Sequence, residues 1–276
     1  MAGVIISYKG TPISNLTASG QKTLLTAGTW CEDDIEIDYT AGASGISVTS
    51  ALGANAFKGA VGLEGINDSG TITALGDSCF YNCTGLTTFS GFPALTTIGP
   101  NAFYGCTALT TLSSEPTITS IGAAAFRGCT SLAKFEIPTN ITALAYQIFY
   151  GCTALTDLVL HGTVLNFSGS GGNSITYNCP NLERVTLPGG SLGSYVLYNH
   201  KQLAEVTVGG PGNAVSSIDA NAFGGCNGVV CAFKVYTADG NPISYPSGNF
   251  WGCNKSGSTC RFVDINDEAH YTDESI

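Results

Sequence analysis

Cys83, Cys106, Cys129 and Cys152 stand 23 residues apart, each inside a near-copy of one heptapeptide. The copies read Phe80-Tyr-Asn-Cys-Thr-Gly-Leu86, Phe103-Tyr-Gly-Cys-Thr-Ala-Leu109, Phe126-Arg-Gly-Cys-Thr-Ser-Leu132 and Phe149-Tyr-Gly-Cys-Thr-Ala-Leu155. No other feature restricts the fold so tightly. A unit this short cannot bury its own apolar face, so successive units must stack on one another, and the chain is expected to be a solenoid.

The period extends in weaker form to either side. Phe57-Lys-Gly-Ala60 is a degenerate first copy. Cys179 follows Cys152 by 27 residues, the extra length lying in the Gly-rich run Ser168 to Asn173. Leu197-Tyr-Asn-His200 puts His in the Cys column, and Phe223-Gly-Gly-Cys226 and Phe250-Trp-Gly-Cys253 complete about nine turns over residues 46–255. Each unit has two parts. The Ile-Gly-x-x-Ala-Phe part, as in Ile98-Gly99-Pro-Asn-Ala-Phe103, predicts a turn entering a short helical or 3₁₀ piece. The Leu-x-x-Leu-x-Leu part, as in Leu155-Thr-Asp-Leu158-Val-Leu160, alternates like a strand with its leucines facing in. The expected fold is a mainly β solenoid, a parallel sheet of short strands joined by short helical or 3₁₀ turns. At ~4.8 Å per strand, such a stack is on the order of 40 Å long.

Composition narrows the function classes. The net charge of −10 and pI near 4.5 leave no basic stripe for nucleic acid or an anionic membrane surface. No apolar run approaches the ~20 residues that span a bilayer, so membrane insertion is not expected. The start, MAGVIISYKG, lacks the positive and apolar regions of a secretory leader, and synthesis without one is the expectation. Seven of the eleven cysteines occupy the repeat column (Cys83, Cys106, Cys129, Cys152, Cys179, Cys226 and Cys253), where a reduced, packed ladder is expected. Cys226/Cys231 and Cys253/Cys260 lack zinc-site spacing.

Residues 1–40 do not repeat. Val4 to Tyr8 and Ile35 to Tyr39 read as strands, Lys22 to Gly28 as a third, and Thr40 to Gly45 as a flexible linker, with 41–45 its core. The run YKGTPISNLTASGQKTLLTAGTWCEDDIEIDY resembles a short module common in phage and prophage tail proteins. That resemblance implies attachment to other tail or assembly proteins through residues 1–40. Residues 256–276 read as a C-terminal cap and acidic tail.

The A-F-x-G-C-x-x-L hallmark, followed by a short strand and I-x-x-I-G, makes residues 46–255 resemble the BspA-like leucine-rich repeats. The resemblance implies a leucine-rich-repeat solenoid used for adhesion or recognition, and no catalysis. The residues themselves agree. His161, His200 and His270 are scattered, and His200 reads as a packed or hydrogen-bonded replacement in its column. Asp264, Asn266, Asp267 and Glu268 lack the glycine turn and distal glutamate of a calcium loop. No P-loop and no nucleophile-base pair is present, so neither cofactor, metal nor enzyme activity is expected.

Two surfaces remain as ligand-binding candidates. The residue two before each column position reads Lys58, Tyr81, Tyr104, Arg127, Tyr150, Tyr177, Tyr198, Gly224 and Trp251, and six of these nine are aromatic. Aromatic faces in file suit sugar or peptide stacking, or alternatively pack on one another. The second surface is the outward face of the strands, with Lys134, Glu136, Asp157, Val159, Arg184, Thr186, Glu205 and Thr207. The resulting expectation is a non-enzymatic recognition protein, a phage or prophage tail component binding a bacterial-surface glycan or protein. It would sit on the virion or on a cell surface, and self-association is compatible with it. A structural spacer or a bacterial adhesin is the alternative.

Overall fold

The computed structural model describes residues 5–8, 11–12, 35–39, 51–61, 63–68, 72–112, 117–141, 143–162, 165–167, 174–209, 214–219, 222–226, 232–235 and 261–264. These residues form stacked turns, and no helix occurs among them. The short strands Ala51–Leu52, Ala74–Leu75, Thr97–Ile98, Ser120–Ile121 and Ala143–Leu144 pair in parallel, one per turn. Leu165–Phe167, Gly190–Leu192 and Val215–Ile218 make a second ladder of this kind. A set of mostly longer strands pairs likewise, from Leu63–Asp68 through Thr88–Ser90 to Thr111–Leu112. It resumes as Lys134–Ile141, Asp157–Gly162, Arg184–Leu187, Glu205–Val208, Ala232–Val235 and Arg261–Asp264. The fold is a parallel-strand solenoid. At its start, Ile35–Tyr39 pairs in parallel with Leu63–Asp68, and Ile5–Tyr8 lies antiparallel on Ile35–Tyr39. The expected strand at 22–28 and the linker 41–45 fall outside the described residues.

The helical or 3₁₀ pieces expected after each Ile-Gly pair are consecutive turns instead. Alternate N–H groups, as Tyr81 to Ser78, Cys83 to Phe80 and Tyr104 to Asn101 at 3.1, 3.1 and 3.0 Å, donate back three residues, and those between them leave the turn. The N–H groups of Ser78, Phe80 and Asn82 donate one turn onward, to the carbonyls of Pro100, Ala102 and Tyr104 at 2.9, 2.7 and 2.7 Å. Asn101, Phe103 and Gly105 repeat the pattern onto Ala123, Ala125 and Arg127 at 2.9, 2.7 and 2.8 Å. A helix keeps its N–H groups for its own carbonyls and could not tie neighbouring turns together in this way. The alternating backbone needs a left-handed residue just before the Cys column, and Gly or Asn fills that place: Asn82, Gly105, Gly128, Gly151, Asn178, Asn199 and Gly225.

Two files of side chains run through a core otherwise filled by inward-facing residues such as Leu86, Leu109, Leu132 and Leu155. Phe57, Phe80, Phe103, Phe126 and Phe149 are buried and stacked, their centroids 5.1, 5.2, 5.1 and 5.6 Å apart. Burying each such ring contributes roughly 1.5–3 kcal/mol. Phe223 is buried in the same column, but Thr176 and Leu197 stand between it and Phe149, so the stack of rings runs from Phe57 to Phe149. Beside it, the thiols of Cys83, Cys106, Cys129 and Cys152 donate to the carbonyls of Phe57, Phe80, Phe103 and Phe126 at 2.9, 3.1, 3.1 and 3.1 Å. These cysteines are free thiols, as are Cys179 and Cys226. Burial pushes Cys83 and Cys179 up to about 12, which keeps them protonated as donors and suppresses the reactive thiolate.

Candidate functional site

The tyrosine column forms a file on the edge of the stack. Tyr81 and Tyr104 stack with centroids 4.7 Å apart, Tyr150 and Tyr177 at 5.3 Å, and Tyr177 and Tyr198 at 5.9 Å. Arg127 bridges the two groups, its guanidinium carbon 5.7 Å from the Tyr104 centroid and 4.2 Å from that of Tyr150. Lys58 lies over Tyr81 at 5.0 Å and begins the file. Stacking of this kind contributes about 0.5–1.5 kcal/mol per pair. The consequence for binding is direct. From Tyr81 to Tyr177 the ring faces are spent on neighbours in the file, and solvent meets the edges of half-buried rings. Gly224 brings no side chain at the next position, and Trp251 lies outside the described residues.

The strand face carries a different pattern. Lys134, Asp157, Arg184 and Glu205 are register partners on four successive strands, so charge alternates in sign along the stack. Arg184 directs Nε and Nη2 at the two carboxylate oxygens of Asp157, the latter at 2.9 Å, and Nη1 at Glu183, 3.2 Å away. The Arg184 hydrogen bond holds the Asp157 carboxyl below the usual carboxylate range against the opposing effect of partial burial, and the Thr156 hydroxyl adds to it. A parallel row of Glu136, Val159, Thr186 and Thr207 runs alongside. All of these side chains are at least partly exposed.

The sequence reading identified His200 and missed its partner. Thr176 stands in the phenylalanine column one turn earlier, and its hydroxyl lies 2.8 Å from His200 Nε2. His200 Nδ1 lies 3.1 Å from the Cys179 carbonyl. A carbonyl only accepts, so Nδ1 carries the proton and the Thr176 hydroxyl donates to Nε2. A hydroxyl, an imidazole and an orienting acceptor in line resemble a nucleophile and its base. Here both side chains are buried, Thr176 at 0% and His200 at 1% exposure, so no substrate meets them. Desolvation pushes His200 down to about 4, against its hydrogen bond to the Cys179 carbonyl. The pair is packing: a large residue replaces a small one where its neighbour does the reverse. Two departures in adjacent turns were the available signal. His161 is exposed on Asp157–Gly162, and His270, Asn266, Asp267 and Glu268 lie outside the described residues. Among the described residues no three of His, Cys, Asp and Glu converge on a metal-sized site.

A family model described as the BspA type leucine rich repeat region matches residues 50–171 and 161–235, with six copies. No curated protein matches. Among solved structures, a leucine-rich repeat protein from Bacteroides ovatus is 19% identical over 69% of this chain and 61% of that one, with a TM-score of 0.47. A leucine rich repeat protein from T. pallidum is 20% identical over 77% and 85%, with a TM-score of 0.43. A leucine rich cell surface protein from Faecalibacterium prausnitzii is 16% identical over 82% and 91%, with a TM-score of 0.30. The chain therefore spans about 61% of the Bacteroides protein's length.

Proposed function

The chain belongs to the BspA type leucine-rich-repeat family, and we propose that it is a non-enzymatic recognition protein that binds a bacterial-surface glycan or protein through the outward face of its longer strands. The observation that carries this reading is the registered charge row Lys134, Asp157, Arg184 and Glu205 beside the mixed row ending in Thr207. A rigid sheet holds these groups at a fixed spacing and so orders little on binding. Three substitutions made together, Asp157→Ala, Arg184→Ala and Glu205→Ala, test it. Labelled protein should bind bacterial cells, and the triple variant should lose most of that binding with only a small drop in melting temperature. Full binding by the variant would move the site off this face. Wild-type protein that binds no cells would favour a spacer or scaffold. A place in a phage or prophage tail rests on the resemblance of residues 1–40 alone. Deleting those residues should abolish co-purification with an assembled particle and leave cell binding intact.

A further inference from the structure

We propose that the turn edge at Arg127 is a second binding site, specific for the carboxylate of a single acidic sugar on an otherwise neutral glycan. The guanidinium is sandwiched between Tyr104 and Tyr150. The guanidinium carbon lies 4.2 Å from the Tyr150 centroid and 5.7 Å from that of Tyr104, and the group carries five N–H donors in one plane. One of these, on Nη1, bonds Gln147 Oε1 at 2.8 Å, which fixes the rotation of the group. Arg184 has its fork filled by Asp157, whereas no acidic residue pairs with Arg127 among the described residues. Arg127 is thus an oriented cation with donors to spare. A planar carboxylate is the group that matches two parallel N–H donors, and a pre-held fork loses little freedom on meeting it.

The surroundings select what carries the carboxylate. The faces of the tyrosines in the file are taken, but Tyr146, the residue before Gln147, is 56% exposed, the one exposed large hydrophobic among the described residues. Aromatic groups beside a charge-matched donor suit the C–H and hydroxyl faces of a sugar ring. A peptide in extended form would instead seek an open strand edge, and here the turn N–H groups of Ala124, Phe126 and Gly128 already donate to Tyr146, Ile148 and Tyr150. Net charge limits the ligand further. A chain carrying −10 repels a polyanion, while one local cation accepts one carboxylate. The site is independent of the strand face, so either can fail alone.

Full-length protein is titrated with three probes: a disaccharide ending in glucuronic acid, its match ending in glucose, and a short glutamate-bearing peptide. The acidic disaccharide should bind, and the other two should bind at least about tenfold more weakly. Arg127→Lys keeps the charge but loses the planar fork, and should weaken the acidic disaccharide at least about tenfold. Lys201→Gln, which removes an exposed cation outside both candidate surfaces, should leave it unchanged, and thermal melts of both variants should match the wild type. Equal affinity for the two sugars, full affinity in Arg127→Lys, or an equal loss in Lys201→Gln would overturn the site. So would the absence of any binding, and a peptide that binds as well as the sugar would overturn the glycan assignment.

Discussion

At Gly99 an added Cβ would lie 2.6 Å from the Leu75 carbonyl oxygen and 2.8 Å from the Gly76 carbonyl carbon, both backbone atoms of the turn before. Gly76 and Gly122 meet the preceding turn as closely, while the equivalent Gly53 meets nothing within 4 Å. Gly99→Ala is therefore expected to cost about 1–3 kcal/mol through overpacking, and Gly53→Ala to be close to neutral. Urea midpoints of the two variants check this, and equal midpoints would contradict it. His200 gives a second prediction at this scale. Its folded value of about 4 lies below the ordinary 6.5, so the unfolded chain takes up the proton first as pH falls. The stabilisation by neutral His200 is fully present above pH 6.5 and is lost progressively down to about 4, a total of about 3 kcal/mol. The double substitution Thr176→Phe with His200→Cys restores the column residues and should flatten that part of the pH dependence. An unchanged difference between pH 7 and pH 4.5 would show that His200 is not responsible.

The turn elements owe their form to bonds made along the stack, and each file of side chains follows from that. Once Phe80 and Phe103 donate their N–H groups to the next turn, their rings and the thiols beside them must fall in line. The strand element differs, because its outward residues are free to vary with little effect on the core. Arg184 is exposed and Asp157 only partly buried, so their ion pair contributes little to stability in water. Asp157→Asn should lower the urea midpoint slightly, and added salt should erase the difference. The contribution has a definite sign with pH. The Asp157 carboxyl lies below its usual range, so its stabilisation is present above that range and disappears as the pH falls through it. A large loss of stability that persisted in high salt would mean the pair does more than decorate the surface.

For the whole molecule, nearest-neighbour stacking makes stability a matter of position. A central turn is covered on both sides and an end turn on one, so opening should begin at the ends. Hydrogen exchange read by mass spectrometry should find the slowest amides among Phe80, Phe103 and Phe126, each held by the following turn at 2.7, 2.7 and 2.9 Å. Uniform exchange along the chain would point to one all-or-none unit instead. The acidic net charge of −10 acts at the same scale, as a long-range field over a surface whose local charges are mixed.

Much of this was legible in the residues alone. The 23-residue spacing of identical apolar positions determined the solenoid and the phenylalanine and cysteine ladders, because units that cannot bury themselves singly have only one way to do so together. Strand register followed from the same period. Three things were decided by the tertiary structure. The turns are not helical, because every second N–H group finds its partner a full turn away, as Phe80 to Ala102. The tyrosine faces are covered, because stacked turns bring successive rings within 4.7–5.9 Å of each other, and Tyr104 and Tyr150 within 5.7 and 4.2 Å of Arg127. Thr176 answers His200 and Asp157 answers Arg184 across 24 and 27 residues of chain: the repeat puts each pair in adjacent turns, but only the stack decides which side-chain atoms meet.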